Sequence, residues 1–346
     1  QRMATGTTLT NQELLKEALA HFFGSDVTCT PTTGGVNNVC NYVQTSDGSR
    51  YILRIYNNGN NSARVRFEHE VLRQLAKHKL SFEIPRAMES KDGRSHVLLS
   101  SGAEACVFHV IPGTLPKTTS PKEIGRASGE LNSALEAVKL DDLTGCAPPY
   151  YEIFKVHHII TKDLFYSEAA SPIYDVCRED LNFLVQEIRN LENELGRMQA
   201  QGLPEQLIHG DLHYDNVLVS AEGAQSEAVT GLLDFEFCAK DWRSMELAIC
   251  LSKYAGEADP LPLFQAFVEG YMEKGRLEEA EVEAVPDLIT LRILSNVVYF
   301  VGRVAAKEDE PSCLTKRAGT YAGRVRRESL WEREGTPGGE EGECGV

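Results

Sequence analysis

Apolar and polar residues alternate over two short runs early in the chain, 39–45 (VCNYVQT) and 50–56 (RYILRIY), joined by Ser46-Asp47-Gly48-Ser49. A period of two marks strands with one buried face, and an Asp-Gly pair between such runs predicts a hairpin. On either side the period lengthens to that of a helix. Residues 10–23 start at Thr10 with Glu13 three places on, repeat Leu14, Leu15, Leu19 and Phe22, and end at Gly24. That pattern predicts a capped amphipathic helix. Residues 62–80, with Val65, Leu72, Leu75 and Leu80, predict another. Short strand patterns follow at 84–88, 96–99 and 105–111, until Pro112-Gly113 interrupts the chain.

Beyond that break the helical period dominates, over 120–138, 173–200, 243–254, 260–274, 278–303 and 313–329. One strand-rich island, 206–237, interrupts it. The expected class is therefore α+β, with a small β-rich N-terminal part (1–112) and a larger, mainly helical C-terminal part (113–334). The tail 335–346, GTPGGEEGECGV, has almost nothing to bury and is expected to be disordered. No internal repeat is visible.

Composition narrows the function classes. The 346 residues carry a formal net charge of -16, which argues against a nucleic-acid binder and, mildly, against an anionic membrane surface. The acidic balance serves solubility, or draws in a cationic substrate. Nine cysteines, at 29, 40, 106, 146, 177, 238, 250, 313 and 344, contain no C-x-x-C pair. A zinc ribbon or dithiol redox site has no support, and the odd count suits a reducing compartment. The N-terminal residues have no apolar core of a signal peptide, and no unbroken run of about 18 apolar residues occurs. A cytoplasmic protein is expected, with an upstream transit peptide left open. His157 and His158 are neighbours and could not share one helix face, so a metal site there is not expected.

The chemistry gathers in His209-Gly210-Asp211-Leu212-His213-Tyr214-Asp215-Asn216, followed by an apolar triplet, a turn, and Leu232-Leu233-Asp234-Phe235-Glu236. Phosphoryl transfer needs positioning and charge neutralisation more than covalent help. One aspartate near the attacking hydroxyl, an asparagine five residues on, and a second aspartate ending the next strand can supply both. The Asn and second Asp offer hard oxygen donors of the kind Mg²⁺ prefers. Each element alone is weak, since an isolated H-x-D is more often a satisfied buried pair. Their combination is specific.

On these residues the chain resembles the aminoglycoside phosphotransferase/choline kinase family, over about 10–330. Supporting matches are GGVNNVCNYV (34–43), RYILRIY (50–56) and FEHEVLRQL (67–75). The resemblance implies a protein-kinase-like two-lobe fold and an ATP- and Mg²⁺-dependent kinase that phosphorylates a hydroxyl of a small molecule. It implies Asp211 as catalytic aspartate, Asn216 and Asp234 as Mg²⁺ ligands, and His209 as a structural residue of the catalytic loop. His213 and Asp215 fall at less constrained positions. On the nucleotide side, Gly35 and Asn38 lie in the phosphate loop. Arg54 stands where protein kinases carry lysine, facing either phosphate or solvent. Glu68 and Glu70 compete as its partner, with the helical spacing favouring Glu68. Adenine would dock near His109 and Ile111. Glu236 and Trp242 are the candidate substrate contacts, each with a structural alternative, a salt bridge to a nearby arginine and a helix anchor. Asp241 and Arg243 are expected to be structural.

Within the family, the wording around Asp234 looks most like homoserine-kinase-type members, with choline/ethanolamine-type kinases as the alternative. Arg54 in place of lysine leaves a catalytically inactive nucleotide-binding pseudokinase as a third reading. A protein kinase is unlike this chain, which lacks D-F-G and A-P-E landmarks.

Overall fold

The structure, a computed structural model, describes residues 11–32, 38–57, 61–142, 144–220 and 228–334. Gly35 and the tail 335–346 lie outside these described residues. In chain order the elements are α1 (Asn11–Phe22), β1 (Val27–Pro31), β2 (Val39–Thr45), β3 (Arg50–Ile55), α2 (Ser62–Leu75), β4 (Val97–Leu98), β5 (Glu104–His109) and α3 (Pro121–Glu136). Then follow α4 (Lys162–Ala169), α5 (Arg178–Gln201), β6 (Glu205–Ile208), β7 (Val217–Val219), β8 (Val229–Leu232), β9 (Ala239–Trp242), α6 (Met245–Tyr254), α7 (Leu261–Met272), α8 (Glu279–Ala305), α9 (Ser312–Thr315) and α10 (Ala318–Glu334).

The chain folds into two compact units that interleave along the sequence instead of changing once near Pro112-Gly113. The first comprises Gln1–Pro116, Ala137–Cys146 and Asp215–Cys238; the second holds the remainder. The reason is the β7–β8 hairpin, which bonds back onto the first unit. Thr114 and Val219 exchange backbone hydrogen bonds at 2.9 Å each way, and Glu83 bridges to Gly231. Gly113 permits the approach: at its φ of +147° an added Cβ would lie 2.4 Å from Thr230 Oγ1.

In the first unit the antiparallel sheet runs β1-β2-β3-β5-β4. The Asp-Gly turn closes as its sequence predicts, with Asp47 Oδ1 accepting from the Ser49 N–H and Gly48 at φ +87°. Leu53 and Ile55 face α1 in a core with Phe22, Phe23, Val43 and Val107. Period two then turns Arg54 to the opposite face. There α2 buries Val65, Phe67, Glu68, Val71, Leu72 and Leu75. α2 stops at Leu75, short of the predicted end at residue 80, and residues 76–78 bond back only as turns. The expected strand at 84–88 reduces to one isolated bridge, Ala87 to Phe108, with another just before it at Glu83, Pro85 having no N–H to give.

The second unit packs α3 against α7, α8 against α5, α6 and α10, and pairs β6 with β9. Among the described residues α8 is the one helix long and apolar enough to cross a membrane by length and composition, and more than half of that stretch is buried inside the protein.

Candidate active site

Asp211 lies just beyond the C-terminal end of β6, on a loop held by buried polar groups of the second unit. Gly210, at φ +81°, makes the turn. Glu246 of α6 accepts the backbone N–H groups of both His209 and Gly210. His209, fully buried, accepts the Asp211 N–H on Nδ1 at 3.2 Å, which fixes its neutral tautomer with the proton on Nε2. Tyr150 donates its hydroxyl to the Gly210 carbonyl at 2.8 Å, and its own N–H goes to Asp241 at 2.6 Å. The loop is thus fixed from α6 and from the segment before α4.

The Asp211 carboxylate is met by two cationic or proton-bearing groups. Arg292 of α8 donates from Nη2 to Oδ1 at 2.8 Å, and His213 Nε2 lies 3.6 Å from the same oxygen. Burial by itself would raise the Asp211 pKa, but the His213 hydrogen bond and the Arg292 charge outweigh it and hold the carboxyl well below the usual range. Asp211 is ionised at any physiological pH.

The first unit assembles a second group of charges. Arg54 reaches Glu68 of α2 at 3.2 Å through Nη1 and Asp234 at 3.1 Å through Nη2, with its guanidinium over Phe108 and Tyr56. Its side chain is 13% exposed, so the solvent-facing alternative does not describe it. The two carboxylates hold Arg54 charged against the opposing effect of burial. Burial pushes the Glu68 carboxyl up to about 7, with Arg54 pulling it down. Glu70 is engaged elsewhere, by Arg73 at 2.6 Å on the exposed side of α2.

Asn216 directly precedes β7 and Asp234 closely follows β8. The pairing of Val217 with Leu232, and the Leu233 N–H donated to the Asn216 carbonyl at 2.9 Å, put both at one end of the hairpin. Asp234 holds φ +68°, a left-handed conformation that costs a non-glycine residue roughly 1–3 kcal/mol and collects at functional sites. A strained carboxylate and an amide oxygen at one hairpin end are a donor set that fits a hard divalent cation.

Glu236 is buried, accepts Asn38 Nδ2 at 2.9 Å, and gives its backbone carbonyl to Arg64. Trp242 is placed apart from Asp211. Register pairs it with Glu205, whereas β6 leads to His209 from Ile208, at the other end of the strand pair. It stacks near Tyr151 and, with Gln199, Gly202, Leu203 and Glu205, lines a separate open cavity of about 510 Å³. Trp242 thus lines a cavity away from Asp211 and directly precedes the loop into α6. His109 packs on Tyr51, its N–H committed to the Arg86 carbonyl, and Ile111 lies against Gly231. Arg243 pairs with buried Glu281.

The two histidines behave differently from the helix-face argument, because 156–160 is not helical. His157 and His158 both turn to Glu308, with Nε2 atoms 3.2 and 3.9 Å from its oxygens. Among the described residues they form the one group of three potential metal ligands. Arg303, 3.5 Å from Glu308, gives the cluster its cation. Sequence reading missed Glu246 and Arg292, and read Tyr150 as part of a substrate-capping element without its bond to the Gly210 carbonyl. A buried glutamate and arginine within apolar helices were the available signal.

Within the second unit a carboxylate is held ionised beyond a strand, and within the first an asparagine and an aspartate at φ +68° share one hairpin end. The phosphotransferase enzyme family (APH) model matches residues 28–282, and the chain belongs to this family. Homoserine kinase from Sinorhizobium medicae is 27% identical over 328 residues, covering 91% of this chain and 93% of its own. A microcompartment-associated aminopropanol kinase superposes with a TM-score of 0.67 at 16% identity, covering 94% of this chain and 98% of that one. Amicoumacin kinase hAmiN, in complex with AMP-PNP, Ca²⁺ and Ami, gives a TM-score of 0.64 at 17% identity, covering 93% of this chain and 94% of that one. The fold is protein-kinase-like, and the chain is a kinase acting on a hydroxyl group of a small molecule.

Proposed function

We propose that the protein transfers the γ-phosphoryl group of ATP to the hydroxyl of a short amino alcohol, with homoserine as the leading acceptor. One structural observation carries the chemistry: Asp211 is paired with Arg292 and sits on a loop pinned at His209, Gly210 and Tyr150. The acceptor is supported by homoserine kinase relatives that align over nine-tenths of the chain.

In this reading Asp211 accepts a hydrogen bond from the acceptor hydroxyl and aligns its oxygen for in-line attack. A carboxylate this acidic is a weak base, which suits a loose transition state where the hydroxyl proton leaves late. Arg54, held by Glu68, presents a bidentate fork to the α/β-phosphates in place of a lysine. Gly35 and Asn38 belong to the phosphate loop, and adenine docks by the backbone near His109 and Ile111. Asn216 and Asp234 are the groups to hold Mg²⁺, which when bound neutralises charge on the transferred phosphoryl. Glu236 stays a candidate contact for the acceptor's ammonium. The free thiols of all eight described cysteines fit a reducing, cytoplasmic setting.

The test is ATP consumption with mass detection of product across homoserine, 3-aminopropan-1-ol, ethanolamine and choline. A phosphorylated amino alcohol that forms only with a divalent cation present is expected. A protein that consumes ATP with none of them loses this assignment.

A further inference from the structure

We propose that Arg292 reads a carboxylate on the acceptor, which makes this site selective for a hydroxy amino acid over an amino alcohol that lacks the carboxylate. The inference rests on the kinase reading above and deepens it.

The argument starts from an arginine in an apolar helix. Arg292 sits in α8 between Leu291 and Ile293, both buried, with its own side chain 13% exposed. Its guanidinium lies 5.3 Å over the Tyr150 ring, donates from Nη2 to Asp211 Oδ1 at 2.8 Å, and from Nη1 to Asn296 Oδ1 at 2.7 Å. Nε is buried without a hydrogen-bond partner. A guanidinium presents five N–H donors in a rigid fork, and a buried donor left unmet is costly. The site therefore holds a fixed cation with unused donor capacity, directly beside the carboxylate that handles the acceptor.

That placement has consequences for what can bind. An acceptor whose hydroxyl bonds to Asp211 brings its next few atoms to the guanidinium that contacts the same carboxylate. A second cation there meets repulsion from Arg292, whereas a carboxylate meets a fixed positive charge and the guanidinium's remaining N–H donors. Homoserine spans roughly 5 Å from hydroxyl oxygen to carboxylate carbon on standard bond lengths, short enough to bridge two groups in contact. The Arg292–Asp211 ion pair is then the state of the empty site. A substrate carboxylate offers Arg292 a second anion and leaves Asp211 oxygen capacity for the hydroxyl.

A plainer role exists, in which Arg292 only keeps Asp211 ionised and in place. Such a role would affect every acceptor alike. The two are separated by homoserine and 3-aminopropan-1-ol, which is the same chain without its carboxylate. For the wild-type protein, kcat/KM is expected to favour homoserine by about 100-fold or more, because a site built to bind a polar group discriminates strongly against its absence. Arg292→Met should collapse that preference towards unity, and Arg292→Lys should retain part of it as a point charge. Equal wild-type use of both acceptors overturns the inference while leaving the kinase reading intact. An Arg292→Met protein that loses both activities in proportion overturns it too, assigning Arg292 to positioning alone. Turnover of choline with neither of these two acceptors overturns the carboxylate site and the choice of homoserine together. Equal wild-type use overturns the inference even where a variant folds poorly. Where Arg292→Met does not fold, Arg292→Lys supplies the second test, an undiminished preference for homoserine overturning the guanidinium's role.

Discussion

Asp211 is controlled by residues that sit far from it in the chain. Arg292 is 81 positions away, and Glu246, which holds the loop, is 37 positions from His209. Asp211→Asn keeps the shape and an acceptor for Arg292 but removes the negative charge. Its kcat is expected to fall by at least about a thousandfold with little change in melting temperature. Steady-state kinetics and a thermal melt on the same preparation check both halves. Arg54→Ala breaks contacts with Glu68 and Asp234 and should raise the KM for ATP by about tenfold or more, with a smaller effect on the acceptor KM. An unchanged KM for ATP would remove Arg54 from the nucleotide site. Asp211, Asn216 and Asp234 could be found in the sequence because their chemistry is compressed into two short segments with characteristic spacing. Arg292 and Glu246 leave only a fainter trace, a charge among apolar helix positions, which does not say what partner it meets.

At the scale of elements, the helices and hairpin predicted from periodicity exist, but their limits and contacts came from packing. β9 lies outside the strand patterns read from the sequence, and its pairing with β6 is what carries Trp242 away from Asp211. The α3–α7 contact is made by glycines. An added Cβ at Gly125 would lie 2.0 Å from the Phe267 carbonyl oxygen, and one at Gly270 would lie 1.9 Å from that of Lys122. Backbone cannot yield as a flexible side chain does, so Gly125→Ala should cost about 2–3 kcal/mol, read as a lower denaturation midpoint. Gly196, within α5, is the control: a Cβ there meets nothing within 4 Å. Gly196→Ala should stabilise by about 0.5–1 kcal/mol through helix propensity. Equal effects of the two substitutions would contradict the close backbone packing.

For the whole molecule, buried carboxyls set a pH dependence. Burial raises Glu246 from 4.5 to about 8 and Asp241 from 3.8 to about 7, against the backbone N–H groups that each accepts. Between the ordinary and raised values the folded protein binds a proton that the unfolded chain has released. For Glu246, the stability is present in full below pH 4.5, falls as pH rises, and is gone above about 8. The loss is on the order of a few kcal/mol for a fully buried group. Melting temperature should therefore decline from pH 6 to pH 9. Glu246→Gln, whose amide oxygen still accepts from His209 and Gly210, should flatten that decline. A slope equal to that of the wild type would mean that Glu246 is charged throughout.

What the sequence by itself determined was the class of fold, the phosphotransfer segment and the hairpin before it, because turn chemistry, periodicity and a short catalytic loop are local properties. Only the tertiary structure decided that Arg54 turns to Glu68 and Asp234, that Trp242 lies apart from Asp211, and that an arginine from α8 reaches the Asp211 carboxylate. Those outcomes depend on register and on packing between distant segments. The free energy of burying a charge is set by the partner it meets, and a linear pattern does not specify that partner.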